Sequence, residues 1–244
     1  MSIRPAPIST VANSTYEQIL ERIVTCTIPP GTVLTEAGVA TMLHTGRTPT
    51  REALARLVRE RLVTAVPRYG YVVTEINPTE LDELIEVRIL LEPTAIAASA
   101  RILGPKVLDL VSESRGAPKS DGANLASQKV HSHNSVHAAL IAGCPNEYLH
   151  HVVADIHKHL YRVFNYALTL DGFNDHLFAD HDSLLAAVVA RDADAAKAIS
   201  IAQIEKSHTA LREALLAQPR ATAQLSTGYS QFSVSTGTKG LQNR

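Results

Sequence analysis

The long stretch from Asn77 to about Ala217 constrains the fold most, because it contains almost no strand pattern. Its apolar residues recur at helical spacing, and short breaks rich in glycine and proline separate the stripes. The breaks are Gly104-Pro105, the segment from Gly116 to Gly122, Cys144-Pro145-Asn146 and Asp171-Gly172. This stretch is therefore predicted to form five to seven antiparallel helices.

Three shorter helices are predicted in the first 76 residues. The first is amphipathic, and its apolar stripe consists of Tyr16, Ile19, Leu20, Ile23 and Val24. The second is predicted from about Glu36 to Leu43, and a tight turn separates it from the third. Thr48 and Pro49 are expected to begin the third helix as its N-cap and its first helical residue, since these positions favour those residue types.

A hairpin is predicted after the third helix, with strands from Val63 to Val66 and from Tyr71 to Thr74. Three helices and a hairpin are typical of a winged helix-turn-helix, which places the start of its recognition helix in the major groove of DNA. The predicted fold class is mainly α, with this module over residues 1–76 and an antiparallel all-α helical bundle over residues 77–218. Residues 219–244 are poor in apolar residues and are expected to be a flexible tail.

The overall charge of the chain is −1, which excludes a uniformly basic coat for nucleic acid and an acidic disordered chain. Division at Asn77 gives a formal charge of +2 to the first part and −3 to the rest. Six arginines fall between residues 47 and 68, against two acids. A surface for nucleic acid is therefore expected to be local and to lie in this segment.

Other protein classes are excluded by what the sequence lacks. Cys26 and Cys144 are far apart and outside any paired motif, which excludes a disulfide scaffold and a thiolate zinc site. No apolar run approaches the roughly 20 residues of a membrane span, and the segment from Met1 to Pro7 lacks the apolar core of a signal peptide. The chain is expected to be cytoplasmic, with no membrane partner.

Arg47, Thr48, Thr50 and Arg51 stand at the start of the third helix and are the candidate DNA contacts. An arginine there can read guanine through two hydrogen bonds, and a helix N-terminus favours phosphate. The alternative is that the module mediates dimerisation or another protein contact and that Arg51 pairs with a surface acid.

The run Gly46-Arg47-Thr48-Pro49-Thr50-Arg51-Glu52-Ala53-Leu54 resembles the S-R-T-P-V-R-E-A-L signature of the GntR family of bacterial transcription regulators. The resemblance implies DNA contacts by Arg47, Thr48 and Arg51, and a wing with Arg68 and Gly70 that enters the minor groove. Gly46 stands where serine or threonine is usual, and Ala37 where some members have arginine. Both departures affect which operator sequence the protein is expected to bind, more than whether it binds DNA.

Ten of the eleven histidines lie after residue 130, and three of them fall on apolar helix faces. His133 and His137 are one helical turn apart, and His181 joins a later apolar stripe. Each histidine alone is typical of a buried core residue, whereas three aimed at one interior predict a divalent metal site for zinc, nickel or manganese. His208 is expected in the core, and His131, His150, His151, His157, His159 and His176 are mostly expected at the solvated surface.

Arg88 and Glu92 fall on the inward stripe of the first helix of the second region. Charges there are costly unless they are paired. One interpretation is that Arg88 and Glu92 form an i,i+4 ion pair and neutralise each other. The other is that Arg88 points into a cavity and binds the carboxylate of an anionic ligand.

The second region resembles the FCD ligand-sensing domain of the FadR subfamily of GntR regulators. The resemblance rests on three motifs, which are Glu86-x-Arg88-x-x-Leu91-Glu92, Val136-His137 followed by Asn146, and Asp180-His181. In many members an aspartate, a histidine four residues later and two further histidines bind a divalent metal. The resemblance matches His137 and His181 to these ligands. It places His133 at the aspartate and Gln203 at the last histidine.

Neutral ligands would leave the charge of the metal uncompensated, so an anion is expected to complete its coordination. We expect a small organic carboxylate that bridges the metal and Arg88, with Arg162 and Asn146 as further candidate contacts. The predicted function is a sequence-specific transcriptional repressor, a homodimer on a double-stranded operator, whose DNA affinity this effector controls.

The alternative is a metal-dependent hydrolase that uses His133, His137 and His181, because the first two have the H-x-x-x-H spacing of zinc proteases. Such a protease needs a glutamate directly after the first histidine as general base, and Asn134 stands there. No nucleophile elbow, phosphate loop or dinucleotide glycine motif occurs elsewhere. The chain is therefore not expected to be an enzyme.

Overall fold

The structure is a computed structural model, and it describes residues 10–103, 107–109, 112, 125–170, 173 and 181–218. Side chains of residues 125–129 are outside this description, as are His176 and the predicted tail. Within the described part, no helix combines the length and the apolar character needed to cross a membrane. The predicted mainly α fold is confirmed.

The N-terminal module contains three helices and a small sheet. The helices are α1 (Thr10–Val24), α2 (Glu36–Met42) and α3 (Arg47–Arg59), and the strands are β1 (Val33–Leu34), β2 (Val63–Val66) and β3 (Gly70–Val73). All strand pairs are antiparallel, in the order β1-β3-β2. The hairpin was predicted, whereas β1 was not, because two residues are too few for a recognisable alternation.

Helix α3 starts two residues earlier than the sequence predicts. Gly46 is the N-cap and Arg47 is the first helical residue, so Pro49 stands third in the helix. Proline fits there because the first N–H groups of a helix have no intrahelical acceptor. The apolar side of α3, with Leu54 and Leu57, packs on Ile19 and Ile23 of α1.

Five helices of the second region have defined bounds in the described part of the chain, and residues 107–109 are also helical. They are α4 (Pro78–Leu103), α5 (Leu125–Ala142), α6 (Glu147–Ala167), α7 (Asp182–Val189) and α8 (Ala193–Leu216). Asn77 Oδ1 accepts a hydrogen bond from the Glu80 N–H at 2.9 Å, and Pro78 is the first residue of α4, a favoured arrangement for a helix start.

The long helix α4 is central and packs against each of the other four. Its C-terminal half joins α5, α7 and α8 in one apolar cluster that contains Ile96, Leu140 and Val188. Its N-terminal half joins α6 and α8 in a second cluster around Leu81 and Leu160. The polar side chains buried between these helices form the candidate metal centre.

Candidate metal centre and nucleic-acid interface

The first turn of α3 presents Arg47, Thr48 and Arg51 to solvent. This agrees with the surface that the sequence predicts for DNA contact. Thr50 requires a correction, because its side chain is fully buried and its hydroxyl donates to the Gly46 carbonyl at 2.8 Å. Thr50 therefore faces the interior of the module and holds the first turn of α3 instead of contacting DNA.

Arg51 forms a two-pronged ion pair with Glu36, the first residue of α2. Nε lies 2.9 Å from Oε1 and Nη2 lies 2.9 Å from Oε2. The hydrogen bonds from Arg51 are the largest cause that lowers the pKa of Glu36. The structure therefore contains the surface pairing that the sequence left as the alternative, and the Arg51 side chain is nonetheless 68% exposed.

The wing is the turn between β2 and β3. Arg68 is exposed there and has a φ of +68°, the left-handed region. Gly70 has a φ of +105°, and a Cβ atom on it would lie 2.5 Å from the Leu34 carbonyl oxygen. Gly70 thus permits the close approach of β1 to the wing, which is a backbone role and places no side chain on DNA.

Three histidines meet in the interior of the second region, as the sequence predicts. His133 and His137 come from α5 and His181 caps the start of α7, and their exposures are 7%, 1% and 5%. Their ring centroids are 4.6, 4.7 and 5.1 Å apart. One ring nitrogen from each lies within 4.8 Å of those of the other two.

The chemistry of this donor set fits a divalent metal. Three imidazoles suit zinc and nickel, and a bound imidazole must be neutral. Burial, together with the neighbouring His137 and His181, holds the pKa of His133 well below its usual value. Burial also lowers the pKa of His137, although Glu92 opposes that shift. Both rings are therefore neutral and ready to act as ligands.

Glu92 lies beside this cluster and is completely buried. It accepts from Arg88 Nε at 2.5 Å and Nη2 at 3.1 Å, and it contacts His137 Nδ1 at 2.7 Å and His157 Nε2 at 2.5 Å. Burial alone would raise the pKa of Glu92, but Arg88, His157 and His137 outweigh it and hold the pKa well below normal. A carboxylate on Nδ1 leaves Nε2 of His137 for a metal, the usual way in which a second group orients a histidine ligand.

The sequence predicted His157 to lie at the solvated surface, and this prediction is wrong. His157 is mostly buried, and its ring centroid lies 5.7 Å from that of His137. The signal was present in the sequence, because His157 falls on one helical stripe with Val153, Leu160 and Phe164. Phe164 also packs edge-on against His133, at 5.3 Å between ring centroids.

Of the two interpretations that the sequence left open for Arg88, the structure contains the ion pair, and binding of an anionic ligand stays a prediction. Arg88 forms the i,i+4 ion pair with Glu92, and it is 1% exposed. Its Nη1 atom is buried and, within the described residues, has no hydrogen-bond partner. A buried guanidinium with an unused donor nitrogen is suited to an anionic ligand.

Arg162 does not reach this cluster. It lies five residues after His157 on α6, which is about 140° around the helix, and it donates to the hydroxyl of Thr74 at 2.8 Å and to the Thr74 carbonyl. Asn146 is exposed and is the N-cap of α6, where its Oδ1 accepts from the Leu149 N–H at 3.1 Å. Both were predicted to contact the effector, and both instead stabilise the fold.

Two positions on α8 were candidates for the fourth ligand. Gln203 is half-buried, and its ligand role stays a prediction. His208 was expected in the core, but it is partly exposed and contacts Asp82 Oδ1 at 2.6 Å. Arg212 donates to the same carboxylate, so His208 belongs to an ion-pair group between α4 and α8.

Helix α6 also contacts the N-terminal module. Lys158 Nζ lies 2.9 Å from Glu60 Oε2, and Asn165 Nδ2 donates to the Val24 carbonyl at 3.0 Å. Glu60 is the C-cap of α3 and also accepts from Tyr16 and Arg56, at 2.6 and 3.0 Å. The helix that carries His157 therefore holds the end of the helix that carries Arg51.

Comparison with known families identifies both regions. Residues 11–73 match the family model of the bacterial regulatory proteins, gntR family, and residues 83–206 match the FCD domain. The FCD match alone covers slightly more than half of the chain.

Several curated proteins are similar over part of their length. An uncharacterized HTH-type transcriptional regulator from Agrobacterium vitis is 33% identical over 108 residues, which are 44% of this chain and 63% of that protein. The transcriptional repressor GlaR of Escherichia coli is 31% identical over 41% of this chain and 48% of its own length. The gluconate operon repressor of Bacillus subtilis is 35% identical over 42% of each chain. The matches thus span less than two thirds of these relatives.

Solved structures with the same fold are more distant in sequence. Escherichia coli McbR/YncC has a TM-score of 0.71 at 19% identity, over 84% of this chain and 98% of that one. A GntR-type putative regulator from Rhodococcus sp. RHA1 has a TM-score of 0.68 at 19% identity, over 86% and 100%. At such identities the likeness establishes the fold.

Proposed function

The chain belongs to the GntR family of bacterial regulatory proteins, in the group that carries an FCD domain, and we propose that it is a sequence-specific DNA-binding transcriptional repressor. A small organic carboxylate, bound at a divalent metal in the helical region, would control its affinity for the operator. The protein would act in the cytoplasm.

The observation that carries the proposal is the exposed first turn of α3. Arg47, Thr48 and Arg51 project from it to solvent, and the wing with Arg68 follows in the same module. This arrangement suits insertion of the helix start into a major groove, with arginine available for guanine. A two-fold operator needs two such helices, so we propose a homodimer.

The buried histidines support the sensing role. His133, His137 and His181 would hold the metal, and Gln203 is the proposed fourth ligand. A bound metal would act as a Lewis acid that attracts a carboxylate. The buried Nη1 of Arg88 would donate to the same carboxylate, while Glu92 holds Arg88 and His137 in position.

A metal-dependent hydrolase is not proposed. The family model that matches residues 11–73 describes bacterial regulatory proteins. The acid that contacts His137, Glu92, is itself held by Arg88 and His157, so it is not placed to take a proton from a water molecule.

DNA binding is tested by selection from a pool of randomised duplexes, followed by fluorescence anisotropy with the selected duplex at fixed salt. Arg51→Ala should lose discrimination at one base pair, by about tenfold. Arg59→Ala is the matched control, because Arg59 is exposed at the opposite end of the same helix. No enrichment of any sequence by the wild type would disprove a sequence-specific regulator.

Metal binding is tested by elemental analysis after incubation with zinc and removal of excess metal. We expect about one zinc per chain in the wild type and its loss in His137→Ala. His131→Ala is the control, since His131 is exposed on the same helix and should leave the zinc content unchanged. Equal zinc content in both variants would refute the proposed ligand set.

A further inference from the structure

Glu36 stands where three elements of the N-terminal module meet. It is the first residue of α2, its carboxylate receives Arg51 of α3, and the Tyr71 side chain of β3 also interacts with it. The side-on pair uses Nε and Nη2 of Arg51, at 2.9 Å each. Such a two-pronged contact fixes the plane of the guanidinium as well as its position.

The geometry of arginine leaves a second edge for another partner. A guanidinium has five N–H donors, two of which point at Glu36. Nη1 and the remaining hydrogen of Nη2 point away from the carboxylate, along the edge that matches the O6 and N7 acceptors of guanine. The Arg51 side chain is 68% exposed, so this edge faces solvent.

We propose that Glu36 is a positioning residue for base recognition, which holds Arg51 by one edge of the guanidinium so that the other edge reads a guanine. The inference rests on the proposed DNA binding and names a specificity determinant outside the recognition helix. An arginine fixed in this way loses less conformational freedom when it binds than a free one. The negative charge of Glu36 would repel nearby phosphate and lower the affinity for DNA. In return, the fixed Arg51 would discriminate better between base pairs.

The test measures dissociation constants for the selected duplex and for each of its single base-pair substitutions, at one salt concentration. Glu36→Gln removes the charged two-pronged contact and should reduce discrimination about tenfold, only at the base pair that Arg51→Ala identifies. Glu52→Gln is the matched control, because Glu52 is an exposed acid next to Arg51. It removes the same charge near the DNA and should keep full discrimination.

A double-mutant cycle separates positioning from a general structural effect. In the Arg51→Ala background, Glu36→Gln should cause no further loss at that base pair. Glu36→Asp, which retains the charge but withdraws the carboxylate, should show a partial loss at the same base pair. Melting curves of each variant establish that the module is folded at the assay temperature.

Three results would overturn the inference. The first is a Glu36→Gln profile equal to that of Glu52→Gln, and the second is a loss spread evenly over all base pairs. The third is tighter operator binding with discrimination intact, which would make Glu36 a competitor of DNA for Arg51. If the wild type selects no sequence at all, the proposed function fails and the inference fails with it.

Discussion

Lys158 Nζ lies 2.9 Å from Glu60 Oε2, and this ion pair joins the helical region to the C-cap of α3. The residue before Lys158 is His157, which contacts Glu92 beside the three candidate metal ligands. One turn of α6 therefore contacts both the buried cluster of Glu92 and the histidines and the N-terminal module. A shift of α6 would therefore move the end of α3, which is a physical route by which the proposed effector could act on DNA binding.

Lys158→Met should loosen this connection without disturbing the histidines. Loss of a partly buried charged hydrogen bond costs about 1 kcal/mol, which corresponds to a melting temperature lower by about 2–4 °C for a chain of this size. Differential scanning calorimetry gives the shift, and zinc content should stay at the wild-type level. Lys197→Met, an exposed lysine on α8, is the control, and an equal shift in both variants would contradict the role of the ion pair.

Stability should depend on pH through Glu60. Burial alone would raise the pKa of Glu60, but hydrogen bonds from Tyr16, Lys158 and Arg56 outweigh it and lower the pKa below its ordinary value of 4.5. A carboxyl with a depressed pKa contributes stability that is fully present above the ordinary value and is lost as the pH falls through the folded value. Urea unfolding from pH 7 to pH 3 should therefore show a decline that begins near pH 4.5. Glu60→Gln should flatten that decline, and an unchanged slope would argue against this assignment.

Glu92→Gln should be the most destabilising conservative change in the helical region. It leaves the buried guanidinium of Arg88 without its counter-charge, and breaking a buried ion pair from one side costs about 3–5 kcal/mol. Glu86→Gln, at an exposed position of the same helix, should change the free energy of unfolding by less than about 0.5 kcal/mol. Equilibrium urea unfolding compares the two, and similar values would show that Glu92 is not the counter-charge.

Thr50→Val should separate a structural role from a DNA contact. The two side chains have the same shape, and the valine loses the hydrogen bond to the Gly46 carbonyl, at a cost of about 1 kcal/mol in stability. Operator affinity measured well below the melting temperature should be that of the wild type. A loss of discrimination at one base pair would instead restore Thr50 as a DNA contact.

Periodicity in the sequence was sufficient for most of the helices, for the wing hairpin and for the inward direction of the candidate ligands His133 and His137. The helical stripes predicted α1, α3 and the bundle, and the alternation around Arg68 predicted the wing. The spacing of His133 and His137 placed both on one buried face, as found. These features are local, because a repeat of 3.6 or 2 residues fixes which face of an element is apolar.

The tertiary structure decided which residues meet across elements. His157 meets Glu92, 65 residues away, and Arg162 turns towards Thr74, 88 residues away, instead of the histidines. Arg51 forms an ion pair with Glu36 on the preceding helix. The side chain of Thr50, the residue before Arg51, points into the module. The sequence alone determined a DNA-reading module followed by a helical bundle with buried histidines. Only the packing of α6 between them decided how they are joined, because a periodic pattern specifies the buried face of a helix but not the neighbour that covers it.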